Sequence, residues 1–137
     1  MRYILLSWLD RDSIAVPGTV GWSTADLRTH FRYLDDLNQS LTTTGELVSS
    51  HTLAHHRRAL IVRADARPAT RIVRFSGSRA LAGYWLIDCA RPRRAIEIAA
   101  LLSAAPGTSA RPLNHPVEMR PVAGAEAPRL PGRPTPA

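Results

Sequence analysis

The chain has 137 residues, 45% of them hydrophobic, which fits one domain with a real core. It contains no long apolar segment and no signal peptide, so we expect a cytoplasmic protein with no membrane partner. All 18 basic residues are arginine, which excludes lysine-based Schiff-base and acid-base chemistry. The net charge of +7 would suit nucleic acid. However, the arginines are scattered rather than set along one helix face, which favours a small anionic molecule as their ligand instead.

The first predicted strand, Tyr3–Leu9, is apolar on both sides of its pleat. One side carries Tyr3, Leu5 and Leu9, and the other carries Ile4, Leu6 and Trp8. A strand without polar alternation is covered on both faces, so we expect it at the centre of a sheet. Residues 10–21, which include Pro17 and Gly18, are predicted to form a loop.

A helix is predicted from Ser23, an N-cap with Asp26 as its capping-box partner, to the threonine run before Gly45. Its inner face is apolar and consists of Leu27, Phe31, Leu34, Leu37 and Leu41. His30 lies on this inner face, and Tyr33 lies on its flank. The helix is therefore expected to pack on the sheet with a histidine among its apolar contacts.

The middle of the chain is predicted to be strand-like over Leu47–Leu53, Ala59–Arg63 and Arg71–Phe75. A turn at residues 64–68 joins the last two strands into a hairpin, which we place at the periphery because it is rich in arginine. Residues 76–78 form a flexible link to the strand Ala82–Cys89. That strand is again apolar on both faces, and a buried, inert thiol is expected for Cys89, the single cysteine.

A second helix is predicted to begin at Pro92 and to end at Pro106-Gly107, and a last strand covers Val117–Val122. The order β-α-β-β-β-β-α-β predicts an α+β fold, a ferredoxin-like βαββαβ core with an extra β-hairpin. We assign residues 1–122 to this domain and residues 123–137, with four prolines, to a disordered tail. Such a sheet leaves one face bare, so the doubly apolar strands predict a homodimer in which two bare faces stack.

Four segments, taken in order, resemble the YCII-related family, also called the DGPF-domain family, of the dimeric α-β barrel superfamily. These segments are the N-terminal Met-Arg-Tyr-Ile-Leu-Leu, Leu37–Leu41 before the glycine, Leu81–Asp88, and Val117–Val122, and the resemblance that they carry spans roughly residues 1–122. The resemblance implies a dimeric α-β barrel. It also implies a His-Asp pair, with the histidine on the first helix and the aspartate after the second.

The chain departs from this family at its functional positions. Arg71–Phe75 replaces the Asp-Gly-Pro-Phe signature. Aligned on Gly45, the family histidine falls at Leu34, one turn after His30, and the aspartate falls within residues 103–108, where no acid occurs. The implied dyad therefore does not transfer, and a catalytic site in this chain would have to be rebuilt.

Three residues are candidates for acid-base catalysis. His30 leads, because an imidazole exchanges protons near neutral pH and its helical face points at the sheet. Tyr33, three residues on, would share a ligand with it, and His51 would face the same cleft from the next strand. The alternative for His30 is a half-exposed histidine at the edge of the core. The sequence holds no cysteine cluster and no close set of metal ligands, so we predict no metal and no cofactor.

Four further residues are candidates for binding a substrate. Arg74 and Ser76 stand where the family has its signature, and Arg74 would hold an anionic group of the ligand. Trp85 is expected to line the cavity or the dimer interface, and Trp22 to cover the cleft or to staple the helix start. The alternative for Arg74 is a solvated arginine on an edge strand, and for Trp85 simple packing.

No nucleophile elbow, phosphate-binding glycine loop or dinucleotide motif occurs in the sequence. The first hypothesis is therefore a small, cofactor-independent lyase, isomerase or cyclase acting on an apolar carbonyl-containing substrate, in specialised metabolism by analogy. The second is a non-catalytic ligand-binding or protein-interaction dimer. The third is nucleic-acid binding through the arginine-rich hairpin and tail, which would weaken steeply with salt.

Overall fold

The computed structural model describes residues 1–10, 21–64, 70–74 and 77–124. The elements occur in the predicted order: β1 (Arg2–Asp10), α1 (Thr24–Thr43), β2 (Leu47–Thr52), β3 (Leu60–Ala64), β4 (Thr70–Arg74), β5 (Arg79–Asp88), α2 (Pro92–Ser103) and β6 (Val117–Pro121). Short 3₁₀ turns cover His56–Arg58 and Thr108–Ala110. Most of the predicted loop at 10–21, the turn at 64–68 and the tail at 123–137 lies outside the described residues.

Four strands form an antiparallel sheet in the order β2-β5-β1-β6. The two strands predicted to be apolar on both faces, β1 and β5, are its central pair. β3 and β4 pair with each other, antiparallel, in a separate two-stranded sheet. The fold is therefore α+β, with a four-stranded antiparallel sheet and two helices, and it is compatible with a ferredoxin-like arrangement.

Both helices contribute to one hydrophobic core on one face of the sheet, which we call the covered face. Its buried members include Tyr3, Leu5, Trp85 and Ile87 from the strands and Leu34, Leu41, Ile98 and Leu102 from the helices. The opposite face, which we call the open face, presents the alternate residues of the same strands. These are half-buried and mostly apolar: Ile4, Leu6, Trp8, Tyr84 and Leu86.

Local signals set the ends of α1, the helix that covers the cavity described below. The Ser23 hydroxyl accepts a hydrogen bond from the Asp26 backbone N–H (3.0 Å), and the Asp26 carboxylate accepts one from the Ser23 N–H (2.9 Å), which completes the predicted capping box. After the helix, Gly45 takes a φ of +76°, a left-handed conformation that lets the chain turn directly into β2. The sequence therefore determines where this helix begins and ends. Among the described residues, no helix is long and apolar enough to cross a membrane.

Candidate functional site

A cavity of about 270 Å³ lies between α1, the covered face of the sheet and the segment that follows β2. Most of its wall is apolar and includes Leu27, Leu34, Trp85 and Leu102. The polar side chains that line it are Ser7, Thr52 and four histidines, His30, His55, His56 and His115. A concave, mostly apolar space with a few convergent polar groups is the usual form of a small-molecule site.

His30 projects from α1 into the wall of this cavity and is only 6% exposed. Its Nδ1 lies 2.9 Å from the Pro106 carbonyl oxygen. Because a carbonyl oxygen can only accept, Nδ1 donates its hydrogen there, and the neutral ring carries its lone pair on Nε2. No hydrogen-bond partner for Nε2 is found in the described part of the chain. The geometry leaves a basic nitrogen free for a ligand.

Two aromatic rings hold the plane of the His30 imidazole. The Trp22 ring centroid lies 5.4 Å away at 88°, and the Phe31 centroid lies 5.2 Å away at 82°. Edge-to-face packing of this kind fixes ring orientation. Trp22, predicted to cover the cleft or to staple the helix start, contacts His30 rather than the cavity itself.

Burial lowers the pKa of His30 below the ordinary histidine value, although the hydrogen bond to Pro106 acts in the opposite direction. A lowered pKa means that the ring is mostly neutral at pH 7. Neutral imidazole with Nδ1 occupied is the form that accepts a proton at Nε2. His30 is thus in the protonation state that a general base requires.

A second histidine, His115, was not singled out from the sequence. Its Nε2 lies 2.6 Å from the Ser7 hydroxyl on β1, and its own backbone carbonyl accepts a hydrogen bond from the Ser103 hydroxyl of α2 (2.6 Å). Burial, and then the nearby His30, lower the pKa of His115 to about 4. Its Nδ1 is buried and finds no hydrogen-bond partner within the described residues.

A signal for this pair was present in the first strand. Ser7 is the one polar residue among the four side chains that β1 buries on the covered face, together with Tyr3, Leu5 and Leu9. A buried hydroxyl requires a partner. The partner lies 108 residues away, in a segment without periodicity, so sequence spacing does not reveal it.

Trp85 lines the cavity, which is one of the two locations predicted for it. Its indole N–H donates a hydrogen bond to Asn38 Oδ1 of α1 (2.9 Å). The ring lies over Gly83, where a Cβ would meet it at 3.4 Å and the His51 carbonyl oxygen at 3.0 Å. Glycine at this position therefore makes room for the indole, while Tyr84 points to the open face.

Two predicted acid-base residues do not join His30. The Tyr33 hydroxyl donates to the Leu101 carbonyl oxygen (2.7 Å), so it links the two helices and does not line the cavity. His51 is opposite Tyr84 in the sheet and lies beside its ring on the open face, with the centroids 5.6 Å apart and the rings tilted by 46°. The expectation that His51 faces the cleft is wrong, because a register shift between Leu47 and Ser49 reverses the alternation of β2.

Of the predicted anion-binding residues, Arg74 ends β4, and its side chain lies outside what the structure describes. Ser76 likewise falls outside the described residues.

Cys89 is buried away from the cavity, and burial raises the pKa of its thiol, which disfavours a nucleophilic thiolate. No group of three metal-ligating side chains occurs within the described ranges.

A second cavity, of about 360 Å³, adjoins the first across residues 53–56. His55 and His56 line both cavities, with ring centroids 4.1 Å apart. Trp8 and Arg58 border the second cavity only. Arg58 therefore contributes a positive charge to the border of the second cavity.

The described site thus combines an oriented neutral imidazole, a serine-histidine pair and an apolar wall. No acidic side chain lines the main cavity among the described residues. Comparison with protein-family models and with curated protein sequences finds no match to this chain.

Proposed function

We propose that the protein is a small, cofactor-independent enzyme that moves a proton on an apolar carbonyl-containing molecule, as an isomerase, lyase or cyclase does. The observation that carries this proposal is the state of His30. It is buried in the wall of the cavity, its Nδ1 is hydrogen-bonded to the Pro106 carbonyl oxygen, and its Nε2 has no hydrogen-bond partner among the described residues.

The chemistry follows from that free nitrogen. A neutral imidazole beside a carbonyl compound takes a proton from the carbon next to the carbonyl, and the C–H electron pair then forms the double bond of an enolate. The apolar wall restricts water, which would otherwise compete for the base and for the enolate oxygen. Return of this proton from the imidazolium to another carbon completes an isomerisation. Exchange requires that the imidazolium first trades the proton for one from solvent, after which Nε2 delivers the new proton to the same carbon.

The test uses 2-tetralone, a bicyclic apolar ketone with acidic protons next to its carbonyl, dissolved in D₂O. NMR follows the replacement of those protons by deuterium. We expect the wild-type protein to accelerate the exchange and His30→Ala to lower the acceleration by about a hundredfold or more. His51→Ala is the matched control, because it also removes an imidazole but does so on the open face. Exchange in His30→Ala as fast as in the wild type would contradict the proposal.

The pH dependence gives a second readout of the same base. Only neutral His30 accepts a proton, so kcat/KM for exchange should fall as the pH drops through the His30 pKa. Because burial lowers that pKa, the midpoint of this acid limb should lie below 6.5, the ordinary histidine value. His30→Ala should lose the limb. A midpoint above 6.5 would mean that His30 is not the titrating base.

A second candidate function is ligand binding without turnover. The mostly apolar wall and the lack of an acidic side chain among its described residues favour it. A wild-type protein that binds 2-tetralone, by calorimetry, without accelerating deuterium exchange would support binding alone.

We infer further that the chain adopts the ferredoxin-like βαββαβ fold with an extra hairpin and belongs with the YCII-related proteins. The strand order β2-β5-β1-β6 supports the fold. Pro106, whose carbonyl oxygen orients His30, lies within residues 103–108, where the family carries its aspartate. A backbone carbonyl would thus orient the histidine in place of a carboxylate.

We also propose a homodimer in which two open faces stack. The support is the half-buried apolar set on that face, which includes Leu6 and Leu86 on the central strands. Sedimentation velocity should give twice the chain mass of 15.0 kDa. Leu86→Glu should produce monomers, whereas Ile96→Glu, on the exposed side of α2, should not. A monomeric wild type, or an unaffected Leu86→Glu, would contradict the dimer.

A further inference from the structure

The cavity has polar groups on two different walls. His30 reaches it from α1, whereas Ser7 reaches it from β1 in the sheet, with His115 beside it. Ser7 is only 5% exposed and its hydroxyl is 2.6 Å from His115 Nε2. A buried hydroxyl fixed in this way is a built feature of the wall rather than a mobile surface group.

The hydrogen in this bond has two arrangements. Either the Ser7 hydroxyl donates to Nε2, so that Nδ1 of the neutral ring carries a hydrogen, or Nε2–H donates to the hydroxyl oxygen and Nδ1 carries a lone pair. Nδ1 of His115 is buried and has no partner among the described residues. Buried N–H groups without an acceptor are rarer than buried acceptors without a donor. The second arrangement is therefore favoured, and it leaves the Ser7 hydroxyl hydrogen free to donate into the cavity.

We propose that Ser7, positioned by His115, binds the oxygen of an enolisable ketone whose adjacent carbon faces His30. This proposal rests on the proposed function and names its substrate class. When His30 takes the proton from carbon, the C–H electrons form the C=C bond and the carbonyl π electrons move to oxygen. That oxygen accepts the Ser7 hydrogen bond, which strengthens as negative charge develops. Atoms and electrons balance without an oxidant, a reductant or a metal.

The experiment measures binding and needs no turnover. 2-Naphthol is the aromatic analogue of the enol of 2-tetralone, and naphthalene is the same ring system without the oxygen. We expect the wild-type protein to bind 2-naphthol about tenfold more tightly than naphthalene, through one hydrogen bond in a buried site. Ser7→Ala should reduce this preference to about one, and His115→Leu should weaken it because the hydroxyl loses its fixed partner.

Ser50→Ala is the matched control, since Ser50 is a half-buried serine on β2 that lies outside the described wall of the cavity. It should keep the full preference for 2-naphthol. If Ser7→Ala does not fold, the double variant Ser7→Ala/His115→Leu carries the same test, because it removes both polar partners and leaves neither one unsatisfied. A folded variant without the Ser7 hydroxyl that still prefers 2-naphthol tenfold would overturn the proposal.

The two proposals fail separately. His30→Ala should keep the preference for 2-naphthol even though it loses deuterium exchange. Loss of the preference in His30→Ala, with the preference intact in Ser7→Ala, would assign the oxygen to His30 and overturn the role of Ser7. Failure of 2-tetralone exchange in the wild type would instead count against the proposed function and leave the binding result to stand on its own.

Discussion

The two faces of one sheet are built from alternate residues of the same strands, yet they have different chemistry. Leu5 and Leu6 are neighbours in the sequence, as are Trp85 and Tyr84, but the first of each pair packs under the helices and the second lies on the open face. Both faces are apolar along β1 and β5. Apolar composition alone therefore does not show which face holds a site.

The faces differ in how they treat polar side chains. On the covered face, Ser7 and His30 are buried, and each has a specific hydrogen-bond partner. On the open face, His51 is exposed beside Tyr84. Burying a polar group costs free energy unless it is paired, so a paired polar group on an apolar face is one that the fold maintains at a cost. This difference is the reason why we place the proposed site on the covered face.

The largest expected effect comes from shortening the two neighbouring leucines of β1. Leu5 is fully buried, so Leu5→Ala should lower the free energy of unfolding by about 4 kcal/mol. Leu6 is half-buried on the open face, and Leu6→Ala should cost about 1 kcal/mol in the monomer. Urea unfolding at low protein concentration measures both. Equal losses would mean that the open face is packed as tightly within one chain as the covered face is, which would contradict the proposed difference between the two faces.

In a dimer, the difference between the two variants should depend on protein concentration. If two open faces stack, the cost of Leu6→Ala should grow with protein concentration, whereas that of Leu5→Ala should not, because only the first changes an interface between chains. Repeating the urea unfolding over a hundredfold range of concentration separates the two effects.

The next effect concerns His115 and the pH dependence of stability. Its pKa is about 4 in the folded chain and near 6.5 when unfolded. Between these values the unfolded state binds a proton that the folded state does not, so the free energy of unfolding falls as the pH drops from 6.5 to 4. The loss attributable to His115 is up to about 3 kcal/mol, and no more is lost below pH 4.

His115→Gln isolates this contribution, since glutamine offers Ser7 a polar partner and does not titrate in this range. The carboxylates titrate in both proteins and cancel in the difference, whereas the electrostatic coupling between His30 and His115 is counted with the His115 contribution. The stability of the wild type relative to His115→Gln should therefore decline between pH 6.5 and pH 4, measured by urea unfolding at each pH. If the difference in the free energy of unfolding between the two proteins stays constant over this interval, His115 is exposed to solvent rather than buried.

Much of the fold could be predicted from local signals. The capping box at Ser23 set the start of α1, and the lack of polar alternation in β1 and β5 identified the central strands. These features depend on residues within a few positions of one another. For the same reason, the position of His30 on the inner face of α1, and hence in the wall of the cavity, followed from helical spacing alone.

The rest of the site depends on strand irregularities and long-range contacts, which cannot be read from the spacing of residues in the sequence. His51 was assigned to the wrong face because strict alternation was assumed, and one irregularity after Leu47 reverses every later residue of β2. His115 was missed because it lies in an aperiodic segment, and only the fold brings it to Ser7. The clue in the sequence was Ser7, a polar residue on an otherwise apolar strand face. A buried hydroxyl needs a hydrogen-bond partner, but the sequence does not show which residue provides it.

The smallest effect tests the polar contact of the covered face against a matched position on the open face. Asn38→Ala removes the acceptor of the Trp85 indole N–H and should cost about 1–2 kcal/mol, because that donor is left unpaired in a buried site. Tyr84→Phe removes a hydroxyl from the next residue of β5, on the open face. It should change the free energy of unfolding by less than about 0.5 kcal/mol, since a partly exposed hydroxyl exchanges one hydrogen bond for another with water.

Urea unfolding of both variants gives the comparison directly, because the two changes affect adjacent residues of β5: Asn38→Ala removes the α1 partner of Trp85, and Tyr84→Phe alters the residue before it. If Tyr84→Phe costs more than Asn38→Ala, the open face holds a polar contact stronger than that of the covered face. A partner chain seated on that face would be the physical reason, and the cost would then rise with protein concentration. A cost that is independent of protein concentration would instead mean that the stronger polar contact lies within the single chain. The burial of paired polar groups would then no longer distinguish the covered face from the open face.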